Sequence, residues 1–270
     1  MVPHVLAVAN QKGGVGKTTT TINVGAFLAG MGRRVLIIDI DPQANATSGL
    51  GVDRTALEAT SYDVVVNGRA LADARIGTMI AGLDIVPADM SLAGAEIEMI
   101  NLARRERRLT YALEGVDDVD YVLIDCPPSL GLLTVNAATA AQALLVPIQC
   151  EFYALEGLGL LAHTLALLQR ELNPGLSIAG IVMTLYDGRL ALARQVVEEV
   201  RARFASELLT PSIPRNVRLS EAPSHGLPVS LYDPACRGAT AYAELAANLD
   251  RRLNGRAHGS APAVPDGAAG

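Results

Sequence analysis

Six short runs of apolar, often β-branched residues recur along the chain, and the pattern predicts that each is a buried strand. They are Val5–Ala9, Val35–Ile38, Leu83–Val86, Tyr121–Ile124, Ala143–Ile148 and Ile178–Met183. Helix-length stretches separate most of them, at Thr18–Met31, Leu132–Ala141, Leu155–Leu172 and Leu190–Phe204. Because continuous apolar strands alternate with helices, the sequence predicts an α/β fold of the doubly wound type, a mostly parallel sheet with helices on both faces.

The regular alternation stops in two places. Residues 54–81 are polar and irregular, which predicts short helices outside the sheet. Residues 255–270 contain Gly, Ala, Pro and Ser with almost no large apolar side chain, which predicts a disordered tail. No interior linker is visible, so we expect a single domain over residues 1–254.

Composition excludes several classes of protein. Half of the 270 residues are apolar and 19% are charged, so the body of the chain can offset its ordering entropy. No apolar run reaches the roughly 18 residues of a membrane-spanning helix, and the first residues lack the basic segment of a signal peptide. The three cysteines (Cys126, Cys150 and Cys236) form no CxxC pair. These observations predict a soluble, cytoplasmic protein.

A glycine-rich segment with two lysines lies between the first predicted strand and the first predicted helix. It reads Gln11-Lys12-Gly13-Gly14-Val15-Gly16-Lys17-Thr18-Thr19, and Lys12 and Lys17 are the only lysines in the chain. A strand, a glycine loop, Lys-Thr and a helix form the setting of a P-loop, whose backbone N–H groups turn onto phosphate oxygens. This placement predicts that Lys17 reaches the β- and γ-phosphates and that the Thr18 hydroxyl binds Mg²⁺. The alternative is a tight strand-to-helix turn.

Carboxylates follow two of the predicted strands. Asp39 and Asp41 end the strand at Val35–Ile38, and Asp125 ends the strand at Tyr121–Ile124. In apolar surroundings such carboxylates need a cation or water, because burial otherwise raises their pKa values. Strands of a parallel sheet present their ligand-binding residues beyond their carboxyl ends. The sequence therefore predicts that these carboxylates belong to the same site as the P-loop.

The P-loop departs from the common pattern, because Gln11 replaces its first glycine and Lys12 is an additional lysine. This form resembles the deviant Walker A motif of the ParA/MinD family of ATPases, and further segments resemble the chromosomal ParA (Soj) branch. Those segments are Asp41–Thr47, Cys126–Ser129, Gln149–Phe152, Tyr186–Arg189 and Ile213–Ser224. The resemblance covers about residues 4–253. One departure is Ala44, where the family usually has glycine.

The resemblance implies a Mg²⁺-dependent ATPase and assigns roles around the nucleotide. Lys12, Lys17 and Asp41 would be catalytic, and Lys12 would act by reaching the nucleotide of a second subunit. The nucleotide-binding residues would be Lys12, Gly13, Gly14, Val15, Gly16, Lys17, Thr18, Thr19 and Asn216, the last at the adenine edge. Mg²⁺ would be held by Thr18, Asp39 and Asp125, the two carboxylates acting through water. Asp41 would orient the attacking water.

The resemblance also implies partners. It predicts an ATP-dependent homodimer that binds double-stranded DNA nonspecifically through Arg189 and Arg218, a ParB-like (Spo0J-like) partner that stimulates hydrolysis, and association with the nucleoid. No N-terminal helix-turn-helix domain is expected, so specific operator binding is not predicted. The dense run Arg104–Arg108 is interpreted as a solvated helix face, with a contribution to DNA binding as the alternative.

Three other functions are compatible with this type of fold. A membrane-recruited regulator like MinD would need a C-terminal amphipathic helix, and residues 248–255 show no adequate apolar face. A reductase like the nitrogenase iron protein would need two suitably placed cysteines in each subunit. A tyrosine kinase relative would carry a tyrosine-rich tail, and the chain has no Tyr after residue 254. The sequence favours the partition ATPase, without a membrane partner.

Overall fold

A computed structural model describes residues 2–151 and 154–256, and within these ranges a single sheet carries the fold. Its strands are β1 (His4–Val8), β2 (Val35–Asp39), β3 (Ile76–Gly77), β4 (Leu83–Val86), β5 (Tyr121–Asp125), β6 (Ala143–Gln149) and β7 (Ser177–Thr184). They lie in the order β3-β4-β2-β5-β1-β6-β7. Every neighbouring pair is parallel except β3 and β4, which are antiparallel.

Helices connect the strands, and further helices follow the last strand, β7. They are α1 (Lys17–Gly30), α2 (Asn45–Gly49), α3 (Leu71–Ala74), α4 (Leu92–Glu98), α5 (Arg108–Ala112), α6 (Leu132–Ala140), α7 (Ala154–Glu171), α8 (Ala191–Arg203), α9 (Val217–Glu221), α10 (Val229–Tyr232) and α11 (Arg237–Arg256). A π-helical turn spans Asp63–Asn67, and 3₁₀ turns span Met99–Asn101, Arg105–Arg107 and Ala222–His225.

Side chains alternate between the two faces of the sheet, and both faces are covered. In β5, Val122 and Ile124 pack into one core, whereas Tyr121 and Leu123 pack into the other. Helices α6 and α8 contribute to the first core, and α1 and α11 contribute to the second. All five residues of β2 and of β5 are buried, which explains why the first four residues of each strand are all apolar rather than alternating with polar ones. The predicted doubly wound α/β fold is confirmed.

The predicted strands agree with the observed ones to within one residue at each end. The strand that the sequence did not predict is β3, whose two residues are too few to show a periodic pattern. The irregular segment 54–81 contains the π-helical turn, α3 and β3. Helix α11 extends to Arg256, past the predicted domain end at residue 254. The predicted tail lies outside the described residues from residue 257 onward, so its disorder stays a prediction.

The apolar face of α11 is used inside the molecule. Its Tyr242, Leu245 and Leu249 are at most 1% exposed and pack against the sheet and α1. Near the end of α11, Asp250 accepts two hydrogen bonds from the Arg33 guanidinium, each 2.9 Å long, and one of 2.7 Å from the Tyr121 hydroxyl. This network attaches the last helix to β5. No helix in the described ranges has the length and apolar character to cross a membrane.

Replacing Asp250 by Ala should lower the free energy of unfolding by about 1–3 kcal/mol, because Arg33 and Tyr121 lose their shared acceptor. Burial opposes ionisation of Asp250, but hydrogen bonds from Arg33 and Tyr121 lower the pKa of its carboxyl overall. The stabilisation should therefore be complete above the ordinary carboxyl pKa and decline as the pH falls through the lower folded-state value. Urea unfolding of wild type and variant at several pH values measures this difference.

The control is Asp73→Ala, which removes an exposed ion pair with Arg69 whose nitrogen and oxygen lie 3.7 Å apart. Such pairs contribute at most about 1 kcal/mol, so this variant should unfold almost like wild type. Equal unfolding midpoints for the Asp250 and Asp73 variants would contradict the role given to the network.

Candidate functional site

The order of the strands brings three strand ends together. In the sheet β5 lies between β1 and β2, and its last residue, Asp125, is paired in register with Val8 of β1 and with Asp39 of β2. The glycine-rich loop begins shortly after β1, so the loop and both carboxylates occupy the same edge of the sheet. The sequence predicted that these residues share a site, and the sheet order provides the physical reason.

The loop between β1 and α1 depends on two glycines. Gly14 has φ +73° and Gly16 has φ +86°, values in the left-handed region that favours glycine. Gly16 is the N-cap of α1 and supplies no capping side chain, so the first N–H groups of the helix are left for another acceptor. The Lys17 ammonium donates to the Lys12 carbonyl over 3.2 Å. The loop therefore has the conformation of an anion-binding site.

Lys17 is almost fully buried, at 7% exposed. Burial lowers the pKa of its ammonium, although the nearby Asp125 and Asp41 oppose this effect. A buried ammonium is unfavourable without anions around it. An additional anion beside it would favour the charged form.

Asp125 is fully buried and receives two hydroxyl hydrogen bonds from α1. Thr18 Oγ1 donates to its Oδ2, and Thr21 Oγ1 donates to its Oδ1, each over 2.8 Å. Burial and the neighbouring Asp39 raise the pKa of the Asp125 carboxyl. A bound cation would have the opposite effect, because it favours the charged carboxylate.

Asp39 is also fully buried, but its oxygens point to a different partner. Thr47 donates to its Oδ2 through both its hydroxyl, over 2.7 Å, and its backbone N–H, over 2.9 Å. The N–H of Asp41 donates to its Oδ1 over 3.1 Å. Burial raises the pKa of the Asp39 carboxyl. Asp39, at the end of β2, therefore holds in place the loop that contains Asp41.

Ala44, the departure from the family pattern, lies in that loop. It has φ +53° and ψ +39° at the N-cap of α2 and is fully buried. A left-handed conformation costs a residue with a Cβ roughly 1–2 kcal/mol relative to glycine. The usual glycine would adopt this backbone conformation without that strain.

A cavity of about 580 Å³ opens beside the P-loop. Its lining joins the loop to the segment after β7, with Gly14, Gly16, Thr18, Thr19, Ile22, Asn45, Ser48, Gly49, Thr184, Leu185, Ile213, Pro214, Asn216, Leu219, Ser220, Pro223, Ser224 and Tyr242. Asn216 is also the N-cap of α9, where its Oδ1 accepts from the Arg218 N–H over 2.8 Å. The side-chain nitrogen of Asn216 is then available to a ligand in the cavity. The size is typical of small-molecule sites.

Lys12 lies on the outside of the same loop. Its ammonium forms an ion pair of 2.9 Å with Glu151, just after β6, and the two side chains are 41% and 46% exposed. Gln149 Nε2 also donates to Glu151. This pairing was not predicted from the sequence, because 139 positions separate the two residues.

Of the two arginines predicted to bind DNA, Arg189 lies in the loop after β7 and Arg218 lies in the first turn of α9. A bridge between Tyr186 and Pro214 joins the loops that follow β7 and precede α9. Arg189 pairs with both oxygens of Asp187 and remains 89% exposed. Arg218 pairs with Glu221 over 2.8 Å and with Asp233 over 3.1 Å.

A groove of about 820 Å³ adjoins these loops. Its basic lining residues are Arg189, Arg215 and Arg237. Arg237 was not predicted from the sequence, because a single arginine at the start of a helix gives no signal of function.

Arg104–Arg108 are tied to the body of the chain rather than forming a simple solvated face. Arg107 donates to the Leu172 carbonyl over 3.0 Å, and Arg108 donates to the carbonyl of Val65 over 2.8 Å. Arg104 donates to the Tyr111 hydroxyl over 3.0 Å. These contacts favour a structural role for the run.

Comparisons with known proteins agree with this arrangement. A family model described as an AAA domain matches residues 3–178. The sporulation initiation inhibitor protein Soj of Bacillus subtilis is 53% identical over 243 residues, which is 90% of this chain and 96% of the relative. The chromosome partitioning protein ParA of Caulobacter vibrioides is 53% identical over 256 residues, covering 94% of this chain and 96% of the relative. A crystal structure of cobyrinic acid a,c-diamide synthase from Mycobacterium smegmatis, with bound ATP analog and magnesium, is 41% identical, has a TM-score of 0.81 and covers 94% of this chain and 96% of that one.

The fold and the site together define a P-loop ATPase whose phosphate loop carries a second lysine. With relatives at 53% identity over nearly the whole chain, the narrower family is also clear. The chain belongs to the ParA/Soj family of chromosome-partitioning ATPases. The resemblance seen in the sequence is confirmed.

Proposed function

We propose that this partition ATPase is a nucleotide-operated DNA-binding switch. ATP and Mg²⁺ bind at the P-loop, and two ATP-bound chains form a homodimer that binds double-stranded DNA nonspecifically on the nucleoid. A ParB-like partner then stimulates hydrolysis, and the protein leaves the DNA. The observation that carries the proposal is the position of Thr18, which lines the cavity and also donates to the buried Asp125.

The nucleotide lies across the cavity, with its phosphates on the loop and its base near Asn216. Backbone N–H groups of residues 13–19 and the start of α1 bind the phosphates. Lys17 supplies an ammonium to the β- and γ-phosphates, which offsets the cost of its burial. The free amide nitrogen of Asn216 donates to the edge of adenine. Asp41 orients the attacking water, since its loop is fixed beside the P-loop through Asp39.

The residues at this edge of the sheet fit Mg²⁺. In the described ranges, no group of three His, Cys, Asp or Glu side chains is arranged to hold a metal ion. Mg²⁺ does not require such a group, because it keeps several waters and binds one or two carboxylates together with phosphates. Thr18 and Asp125 would hold the ion, with Asp39 adding negative charge toward its water shell. When bound, Mg²⁺ neutralises charge on the β- and γ-phosphates.

Lys12 acts across the dimer. In the single chain its ammonium is held by Glu151 in an exposed ion pair. Such pairs contribute at most about 1 kcal/mol, so a phosphate of the second subunit can displace Glu151. Lys12 then adds positive charge to the partner's nucleotide in the transition state, as an arginine finger does.

DNA contacts come from Arg189 and Arg218, with Arg215 and Arg237 in the adjoining groove. The net charge of −6 does not prevent binding, because local arginines, whose number dimerisation doubles, contact phosphates although Asp187 and Glu244 also line the groove. Few aromatic side chains line the groove, so contacts to phosphates are favoured over base stacking.

Amide formation is a second candidate, because the mycobacterial diamide synthase is 41% identical over most of this chain. The partition relatives are more similar, at 53% identity. Incubation with cobyrinic acid, ATP and either glutamine or ammonium distinguishes the two, and we expect no amidated product.

The experiment that tests the switch is a titration of fluorescent duplex DNA with protein in the presence of ATP, ADP or no nucleotide. Tight binding should occur with ATP alone. It should be accompanied by a dimer in size-exclusion chromatography, and duplexes of different sequence should bind equally. Equal affinity in all three nucleotide conditions would exclude a nucleotide-operated switch.

The double variant Arg189→Glu, Arg218→Glu should lose most of its affinity for any duplex, because phosphate contacts are independent of sequence. Single Ala variants should reduce the slope of log affinity against log salt by about one for each phosphate that the protein no longer binds. Dimer formation with ATP should survive. The control is Arg170→Glu, which changes an exposed arginine paired with an acid on α7. If the double variant and this control bind DNA like wild type, both arginines belong to the solvated surface.

A further inference from the structure

The buried hydroxyl of Thr21 lies at the site, and none of the functions proposed above uses it. It is fully buried in α1, one helical turn after Thr18, so both side chains lie on the same face of the helix. Its hydroxyl donates to Asp125 Oδ1 over 2.8 Å and also lies 3.1 Å from the Lys17 carbonyl. Complete burial keeps Thr21 away from any ligand in the cavity, so its effect on a ligand must pass through Asp125.

The two hydroxyls together fix the orientation of Asp125. Thr18 donates to one carboxylate oxygen and Thr21 to the other. With Oδ1 bound by Thr21, Oδ2 is directed at Thr18, and Thr18 must give its only proton to that oxygen. The lone pairs of the Thr18 oxygen are then free for a cation. Without Thr21, Oδ1 is a buried acceptor that has lost its donor, and the carboxylate can turn away from Thr18 to find another.

We propose that Thr21 is a positioning residue for Mg²⁺ binding, which it supports by holding Asp125 so that Thr18 presents its oxygen to the ion. This inference rests on the proposed roles of Thr18 and Asp125. Groups that orient metal ligands typically change metal affinity by about 10–100-fold when they are removed.

The test measures the Mg²⁺ dependence of binding of a non-hydrolysable ATP analogue by wild type, Thr21→Val and Thr21→Ser. Thr21→Val keeps the shape of the side chain without its hydroxyl and should raise the Mg²⁺ concentration for half-maximal binding at least about tenfold. Thr21→Ser keeps the hydroxyl and should stay within about twofold of wild type. The affinity for ADP in EDTA should be the same in all three proteins.

The matched control is Thr139→Val. Thr139 is a buried threonine of α6 whose hydroxyl donates over 2.7 Å to the Val135 carbonyl of the same helix and not to Asp125. Its replacement should leave the Mg²⁺ midpoint unchanged. If Thr21→Val does not fold, as judged by circular dichroism, Thr21→Ala removes the same hydroxyl from a smaller side chain and should show the same shift.

The outcomes separate this inference from the proposed function. If a folded Thr21→Val or Thr21→Ala variant has the same Mg²⁺ midpoint as wild type, the role of Thr21 is overturned. The proposed Mg²⁺ site is not contradicted by that result. Equal loss of binding with Mg²⁺ and in EDTA would also overturn it, since that result indicates a purely structural role. No Mg²⁺ dependence in wild type would instead contradict the proposed Mg²⁺ site, and with it the inference.

Discussion

Replacing Lys17 by Ala should weaken ATP binding by at least about 30-fold. The ammonium is buried at the start of α1, where a water molecule cannot replace its charge beside the phosphates. Removing one partner of a buried charge pair costs about 2–5 kcal/mol, which corresponds to a loss of this size. Isothermal titration with a non-hydrolysable ATP analogue and Mg²⁺ measures the change.

The matched control for Lys17→Ala is Lys12→Ala in the same loop. Lys12 is exposed and paired with Glu151, so its removal should leave ATP binding by the single chain nearly unchanged. The ParB-like partner should not stimulate ATP hydrolysis by the Lys12→Ala variant. If Lys17→Ala binds ATP as tightly as Lys12→Ala does, the loop does not bind phosphate in the way proposed.

Asp41→Ala should reduce ATP hydrolysis by about 100-fold or more, within the range of about 10²–10⁴ that a positioned acid or base contributes. ATP binding and dimer formation should persist, because Lys17 and Thr18 are unchanged. The variant loses the 2.9 Å hydrogen bond from the Gln43 N–H to the Asp41 carboxylate, but the backbone N–H of Asp41 still donates to Asp39, so the loop should stay attached to the end of β2. The expected product is a dimer trapped with ATP, detected by size-exclusion chromatography alongside a phosphate-release assay.

Asp53→Ala is the control for this variant. Asp53 is exposed, and its carboxylate accepts from the N–H and hydroxyl of Thr55 in its own turn. This variant should hydrolyse ATP at the wild-type rate. Wild-type hydrolysis by Asp41→Ala as well would remove Asp41 from the proposed reaction.

Much of the fold followed from local patterns. The apolar runs predict β2 and β5 because both strands are buried on both faces, so that each of their first four residues is apolar. The sequence does not predict the edge strand β3, because two residues bury too little surface to impose a pattern. The sequence predicts a domain end at residue 254, and α11 continues to Arg256 with Gly255 in its last turn.

The contacts around the carboxylates are less predictable than the strands that carry them. The sequence indicated that Asp39 and Asp125 would need partners. It did not indicate that Thr47 and Asp41 satisfy the first, or that Thr18 and Thr21 satisfy the second. Threonine is common in helices and loops, so its spacing alone does not identify the acceptor of its hydroxyl.

The sequence by itself determined the phosphate loop. The conformation of such a loop depends on residues next to one another, on glycines at Gly14 and Gly16 that accept a positive φ and on a helix that begins at Lys17. The tertiary structure decided which distant residues meet the loop. Asp125 lies beside it because β5 pairs with β1, and Glu151 reaches Lys12 because β6 pairs with the other edge of β1. Strand order and register are set by the packing of the whole sheet, so residues far apart in the sequence meet only when the two cores have formed.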